Sequence, residues 1–300
     1  MYLDIVGLYK EREKHSFFVD FVAGESKGKQ EAQTLKEDLI EYGVLMVRLP
    51  QYCVLHSILQ EKKKSKEEIE KMVEKICCKM IQFYLSPLCE TVVDNKALEN
   101  VFFNHQENMD QTKEAVGVCV SSQEYEEIER NVSEFLKEKK QVFERRHERG
   151  FTKNCHGDFH SCNIFFLDDN CKRRLYGEKM EGEEVLIFDC IEFNERIRQA
   201  DVACDLAFFS MDLFFHLGEQ MSKKVAEIYV RETGDKDALN VFGFYVFYRA
   251  MVRAKVNFFT LQDQQIEKEE REKAKEASRK YFQIAVYFSR KLVSSIEESI

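Results

Sequence analysis

The sequence predicts an α+β fold, a small antiparallel sheet followed by a helix-rich lobe with one loop-and-strand insert. Three observations lead there. Before Pro50 the apolar residues fall in short β-branched and aromatic runs. After it they recur every three and four residues, and between Phe151 and Phe193 that helical spacing is interrupted.

The elements follow in order. Leu3 to Tyr9, Phe17 to Val22 and Leu39 to Arg48 read as three strands, and Pro50 takes the chain out of the ladder. Residues 1–50 are therefore expected to form a small β lobe and hinge, and residues 51–300 a helical lobe. Within the β lobe, Gly24 to Gln30 superficially suggests a phosphate-binding loop. Its glycines are separated by three residues rather than four and Lys29 is followed by Gln30, so a hairpin turn is the better reading.

Ser65 with Glu67 and Glu68 opens a helix in which Ile69, Met72, Val73, Ile76, Cys77, Met80 and Ile81 form one apolar stripe; Pro87 ends it. Further helices are expected from about Asn95 to Lys113 and from Ser122 to Arg149. The charged residues from Glu124 to Glu148 read as a solvated face. Ile197 to Ile300 reads as three or four helices, with Asp212 and Glu219 as helix-surface acids and His216 as a core or boundary histidine.

A net charge of −9 and a pI near 5.5 argue against nucleic acid as a general partner. The ten cysteines include no C-x-x-C pair, which suits small packing residues in a reducing compartment; Cys155 and Cys162 are read in that way. No apolar run reaches about 18 residues and no leader pattern opens the chain, so a cytoplasmic protein without a membrane partner is expected.

The chemistry concentrates in His156-Gly157-Asp158-Phe159-His160-Ser161-Cys162-Asn163, which runs into Ile164 to Leu167. Val185 to Phe188 then leads to Asp189. A loop-borne Asp, an Asn at a strand start and a second Asp after the returning strand are the groups that phosphoryl transfer from a magnesium nucleotide requires. One carboxylate orients the acceptor hydroxyl, and an amide oxygen and the other carboxylate hold metal on the phosphates. A rival reading of His156, Asp158 and His160 as zinc ligands lacks further ligands at suitable offsets.

These residues resemble the catalytic loop of aminoglycoside and choline-type phosphotransferases, in which His-Gly-Asp replaces the protein-kinase His-Arg-Asp. Asp201-Val202-Ala203-Cys204-Asp205-Leu206-Ala207 is similar to that family's later D-x-x-x-D-L-A stretch. Phe188 to Asn194 and Tyr248 to Lys255 resemble bacterial aminoglycoside phosphotransferase family proteins of unassigned substrate.

The resemblance implies a protein kinase-like two-lobed fold with a short, incomplete N-terminal β lobe, and ATP and Mg2+ as cofactors. It implies transfer of the γ-phosphate to a hydroxyl of a small molecule. Asp158 would be the catalytic base, Asn163 and Asp189 the metal ligands, His156 and Asp205 the loop scaffold, and Met46, Val47 and Arg48 the nucleotide hinge. Arg249, Arg253 and Lys255, on one helix, are candidate substrate contacts, or else ion pairs with Glu192 and Glu195.

The strand lysine and helix glutamate that grip the nucleotide in this family have no counterpart before Tyr42. The chain thus reads as beginning inside the small lobe, and weak or absent turnover of the polypeptide alone is expected. The alternative is a catalytically inactive kinase-fold binding module.

Overall fold

A computed structural model describes the backbone of residues 2–10, 17–21, 39–46 and 48–297. The chain divides into two units, one comprising Met1–Gln51 with Asp168–Gly182, the other Tyr52–Leu167 with Glu183–Ile300.

In the first unit, β1 (Tyr2–Lys10), β2 (Phe17–Phe21) and β3 (Leu39–Met46) form an antiparallel sheet in the order β2-β1-β3. Gly7 pairs with Asp20 on one side and Tyr42 on the other. The expected hinge falls partly outside the described residues. Met46 ends β3 and Arg48 is exposed, but Val47 and the whole of Gly24 to Gln30 are not described.

The second unit opens with α1 (Leu55–Glu61) and α2 (Lys66–Leu85). A capping box starts α2: the Glu68 amide donates to Ser65 Oγ at 3.2 Å and the Ser65 amide to Glu68 Oε2 at 2.8 Å. All seven residues of the predicted stripe are buried. Then come α3 (Lys96–Thr112) and α4 (Ser122–Glu148), the latter opened by a second box from Ser121 and Glu124.

The insert contains β4 (Thr152–Asn154) and β5 (Ile164–Phe166). The segment Asp168–Gly182, which groups with the first unit, carries α5 (Asp169–Tyr176). Next are β6 (Val185–Ile187), α6 (Glu195–Arg198) and β7 (Gln199–Asp201). Two short antiparallel pairs result: β5 with β6, in register Phe165 to Leu186, and β4 with β7, in register Lys153 to Ala200. Four long helices complete the unit: α7 (Val202–Leu217), α8 (Glu219–Thr233), α9 (Leu239–Gln262) and α10 (Lys268–Glu297).

Aromatic rings dominate the core. Phe135 of α4 stacks on Phe244 of α9 at 5.9 Å, and Phe143 meets the edge of Phe244 at 5.3 Å. Each such ring contributes ~1.5–3 kcal/mol by leaving water. Helix α7 is buried on every side from Val202 to Leu213, and its acids face the insert.

One expectation about α4 is corrected here. Its charged face is not all solvated, because Arg146 is fully buried. The guanidinium donates to Asp201 through Nε at 2.7 Å and Nη2 at 2.9 Å, and to Asp235 through Nη1 at 2.9 and 3.0 Å. Tyr229 also donates to Asp235, and the Phe151 ring lies 4.4 Å from the guanidinium. Planar bidentate pairing of this kind compensates a buried charge that a lysine could not match.

Candidate functional site

The loop from His156 to Asn163 lies between β4 and β5, and Asp205 holds its start. This carboxylate is fully buried. Its Oδ2 accepts from the His156 amide at 3.0 Å and from the Tyr84 hydroxyl at 3.0 Å, and its Oδ1 accepts from the Gly157 amide at 2.9 Å. Three donors on one carboxylate offset the cost of burying it. Asp205 sits in the first turn of α7, where the helix dipole also favours an acid.

Gly157 has φ +83°, and a Cβ there would stand 2.9 Å from the Ile191 side chain. Only glycine meets both the backbone angle and the close approach. Arg249 closes the underside, donating through Nη1 to the Gly157 carbonyl at 3.0 Å and through Nε to the Cys204 carbonyl at 3.3 Å.

His156 ties the loop to the strand end before Asp189. Its Nδ1 accepts from the Asp158 amide at 3.3 Å and its Nε2 donates to the Phe188 carbonyl at 2.8 Å, which defines the Nε2–H tautomer. The Phe188 amide donates to the Asn163 carbonyl at 3.0 Å, and the Ile191 amide to the His156 carbonyl at 2.8 Å. Asp189 therefore stands exposed between two anchored residues, with φ +61°.

Asp158 and Asn163 come together. Asn163 Nδ2 donates to Asp158 Oδ2 at 2.8 Å and to its carbonyl at 2.9 Å. With the amide nitrogen committed, Oδ1 is the atom that Asn163 can offer to a cation. His160 Nε2 lies 3.3 Å from the same Asp158 Oδ2. Burial pushes the Asp158 carboxyl up, but the bonds from His160 and Asn163 outweigh it and hold the group below the usual carboxylate value. Burial likewise pulls His160 down, and the bonds to Asp158 and Cys162 reverse this, raising it to about 9.

Three residues that the sequence reading did not place at the loop complete its surroundings. Tyr84 supplies a donor to Asp205. Asp212, read as a surface acid, is buried and accepts from the Ser161 amide at 2.9 Å. His56 borders Cys162, which is not a packing residue but exposed: burial raises its thiol, yet the neighbouring His160 and His56 lower it to about 6. Cys155, by contrast, is a buried packing residue as expected. His216 is a boundary histidine, 5.0 Å from the His56 ring and 3.7 Å from Asp212.

The three cations of α9 do not share one surface. Arg249 is spent on backbone carbonyls. The Arg253 guanidinium lies 5.8 Å from the Tyr281 ring. Lys255 donates to Asn108 Oδ1 at 2.6 Å and Gln111 Oε1 at 2.9 Å. Among the described residues, their hydrogen bonds are thus to backbone carbonyls, amide side chains and the Tyr281 hydroxyl rather than to Glu192 or Glu195.

No family model matches the chain. It is similar to proteins of Mycobacterium bovis and Mycobacterium tuberculosis described only as uncharacterized, with 31% identity over 150 residues. That stretch is 50% of this chain and 27% of each relative. The chain thus matches about a quarter of the length of these curated relatives. Among the described residues, no helix is long and apolar enough to cross a membrane.

Proposed function

We propose that this chain carries the catalytic lobe of a protein kinase-like phosphotransferase, moving the γ-phosphate of ATP to a hydroxyl of a small molecule. One observation carries the reading: Asp158 and Asn163 are hydrogen-bonded to each other on a loop whose other end is tied by His156 to the strand end just before Asp189.

The donor set fits magnesium. The Asn163 amide oxygen and the Asp189 carboxylate are hard oxygen ligands of the kind this ion prefers, and both stand at the ends of the paired strands β5 and β6. When bound, the ion supplies charge neutralisation at the phosphates. The chain's own residues do the rest. Among the described residues, both side-chain bonds to Asp158 fall on Oδ2, so Oδ1 is the oxygen offered to an acceptor hydroxyl. A carboxylate held low stays ionised at neutral pH and orients that hydroxyl, taking its proton as transfer proceeds. Asp205 and Arg249 hold the Gly157 peptide from its two sides and so fix where Asp158 points.

The test is transfer of labelled γ-phosphate from ATP to a panel of hydroxylated small molecules, with Asp158→Asn and Asp189→Ala as controls. The expected result is at most weak magnesium-dependent transfer, lost in both variants, since general acid–base groups contribute ~10²–10⁴ in rate. Magnesium-dependent stabilisation by ATP without turnover would make the chain a nucleotide-binding module instead. Absence of both transfer and stabilisation would refute the reading.

A further inference from the structure

Two cysteines face each other across a short backbone pairing that leads into the His156–Asn163 loop. The segment after α2 runs antiparallel to β4. The Asn154 amide donates to the Glu90 carbonyl at 2.9 Å and the Val92 amide to the Thr152 carbonyl at 2.9 Å, with Thr91 opposite Lys153 between them. The same register, carried two residues further, sets Cys89 opposite Cys155. Like Thr91 and Lys153, this pair falls where the backbones share no direct bond, and Cα atoms at such positions stand about 4.5 Å apart. A disulfide spans Cα separations of ~4.4–6.8 Å.

The side chains follow that register. The two thiols are hydrogen-bonded to each other. Cys89 Sγ also donates to the Asn154 carbonyl at 3.4 Å, and Cys155 Sγ to the Ala200 carbonyl at 3.3 Å. Lys153 Nζ reaches the same side, donating to the carbonyls of Tyr84 at 2.7 Å and Cys89 at 3.4 Å. Both cysteines are buried, but Leu88 and Glu90 on either side of Cys89 are exposed, so the pair lies one residue beneath the surface.

The two sulfurs differ. The bond from Cys155, together with the Lys153 charge, holds the Cys89 thiol low, whereas burial pushes Cys155 well up. Cys89 is therefore the better nucleophile and Cys155 the thiol that follows it.

We infer that Cys89 and Cys155 form a redox pair that a hydroperoxide closes to a disulfide, fastening β4 to the segment after α2. The Cys89 thiolate attacks a peroxide oxygen: an S–O bond forms, the O–O bond breaks, and hydroxide leaves to take up the thiol's proton. Cys155 then attacks that sulfur: the S–S bond forms, the S–O bond breaks, and water leaves with the second proton. The two thiols lose two electrons, and hydrogen peroxide becomes two waters. The bridge acts on the loop through Asp205, which holds the amide of His156, the residue after Cys155, and accepts from Tyr84, whose carbonyl Lys153 grips.

The inference does not depend on the phosphotransferase reading, and its test uses no nucleotide. The reduced full-length chain is treated with hydrogen peroxide, alkylated, digested without reductant and mapped by mass spectrometry. Mapping is by site because Cys162 and Cys190 are exposed and offer other targets. The expected result is a peptide pair joined through Cys89 and Cys155, a higher melting temperature that dithiothreitol reverses, and slower hydrogen exchange of the Asn154 and His156 amides. Cys89→Ala should show none of the three. Should that variant not fold, reversal by dithiothreitol in the wild-type chain decides alone. Cys89 and Cys155 both alkylated after Cys162 has been oxidised, or either joined to a different cysteine, would overturn the inference. So would a bridge that leaves the exchange of Asn154 and His156 unchanged.

Discussion

Asp205 and Asp212 lie two turns apart on α7 and hold opposite parts of one loop, Asp205 through the amides of His156 and Gly157 and Asp212 through the amide of Ser161. The loop takes its shape from a single buried helix rather than from its own short strands. Asp158 projects from the span between these two anchors.

Asp205→Asn tests that arrangement. The replacement keeps one oxygen but sets an NH2 group against a donor, so a lost charge-assisted bond and an uncompensated donor should destabilise the chain by ~2–4 kcal/mol. Urea unfolding midpoints check this. If the loop is the catalytic element, phosphoryl transfer should fall further than stability does.

Arg146 should be among the costliest single sites in the core. Arg146→Met leaves Asp201 and Asp235 facing each other without a cation, a loss of ~3–5 kcal/mol on the scale of broken buried ion pairs. Arg146→Lys should recover only part of it, because an ammonium cannot make both bidentate contacts. A Lys variant as stable as wild type would show that charge alone matters.

His105 gives a pH signature. It is buried between α3 and α9 beside Phe244 and Phe247, and burial lowers its imidazole from 6.5 to about 4. A base depressed in the folded state has no effect above its unfolded value. As pH falls from 6.5 toward 4, the unfolded chain takes a proton that the folded chain refuses, and stability falls by up to ~3 kcal/mol. His105→Phe should flatten that part of the stability curve, measured by urea midpoints at pH 7, 5.5 and 4.5. An unchanged slope would assign the acid sensitivity elsewhere.

Gly157→Ala probes the loop backbone. A positive φ and a Cβ meeting Ile191 at 2.9 Å should cost ~1–3 kcal/mol together. The displaced Ile191 should also weaken the bond to the His156 carbonyl. Faster hydrogen exchange of the Ile191 amide is the expected readout.

That Asp158 and Asn163 share one loop was legible because the two residues are only five apart in the chain. The strand segments, the α2 stripe with its Ser65 cap, and the helix starts near Asn95 and Ser122 were legible from the spacing of apolar and polar residues. Asp212 was not, since α7 is buried all round and its pattern offers no polar face against which to mark a buried acid. Arg146 was hidden by exposed charges on both sides of it, and its partners lie 55 and 89 residues away. The cations of α9 misled because spacing along a helix says which residues share a face, not what that face meets. For Arg249 it meets the carbonyls of Gly157 and Cys204.

Asp189 combines two demands that need not have coincided. Its backbone sits at φ +61°, where glycine is at ease and, among side-chain-bearing residues, asparagine and aspartate fit best. Of these three, only aspartate brings a negative charge. The geometry of the turn and the metal-ligand role proposed for the position each shorten the list of residues for their own reason, and aspartate is the one on both.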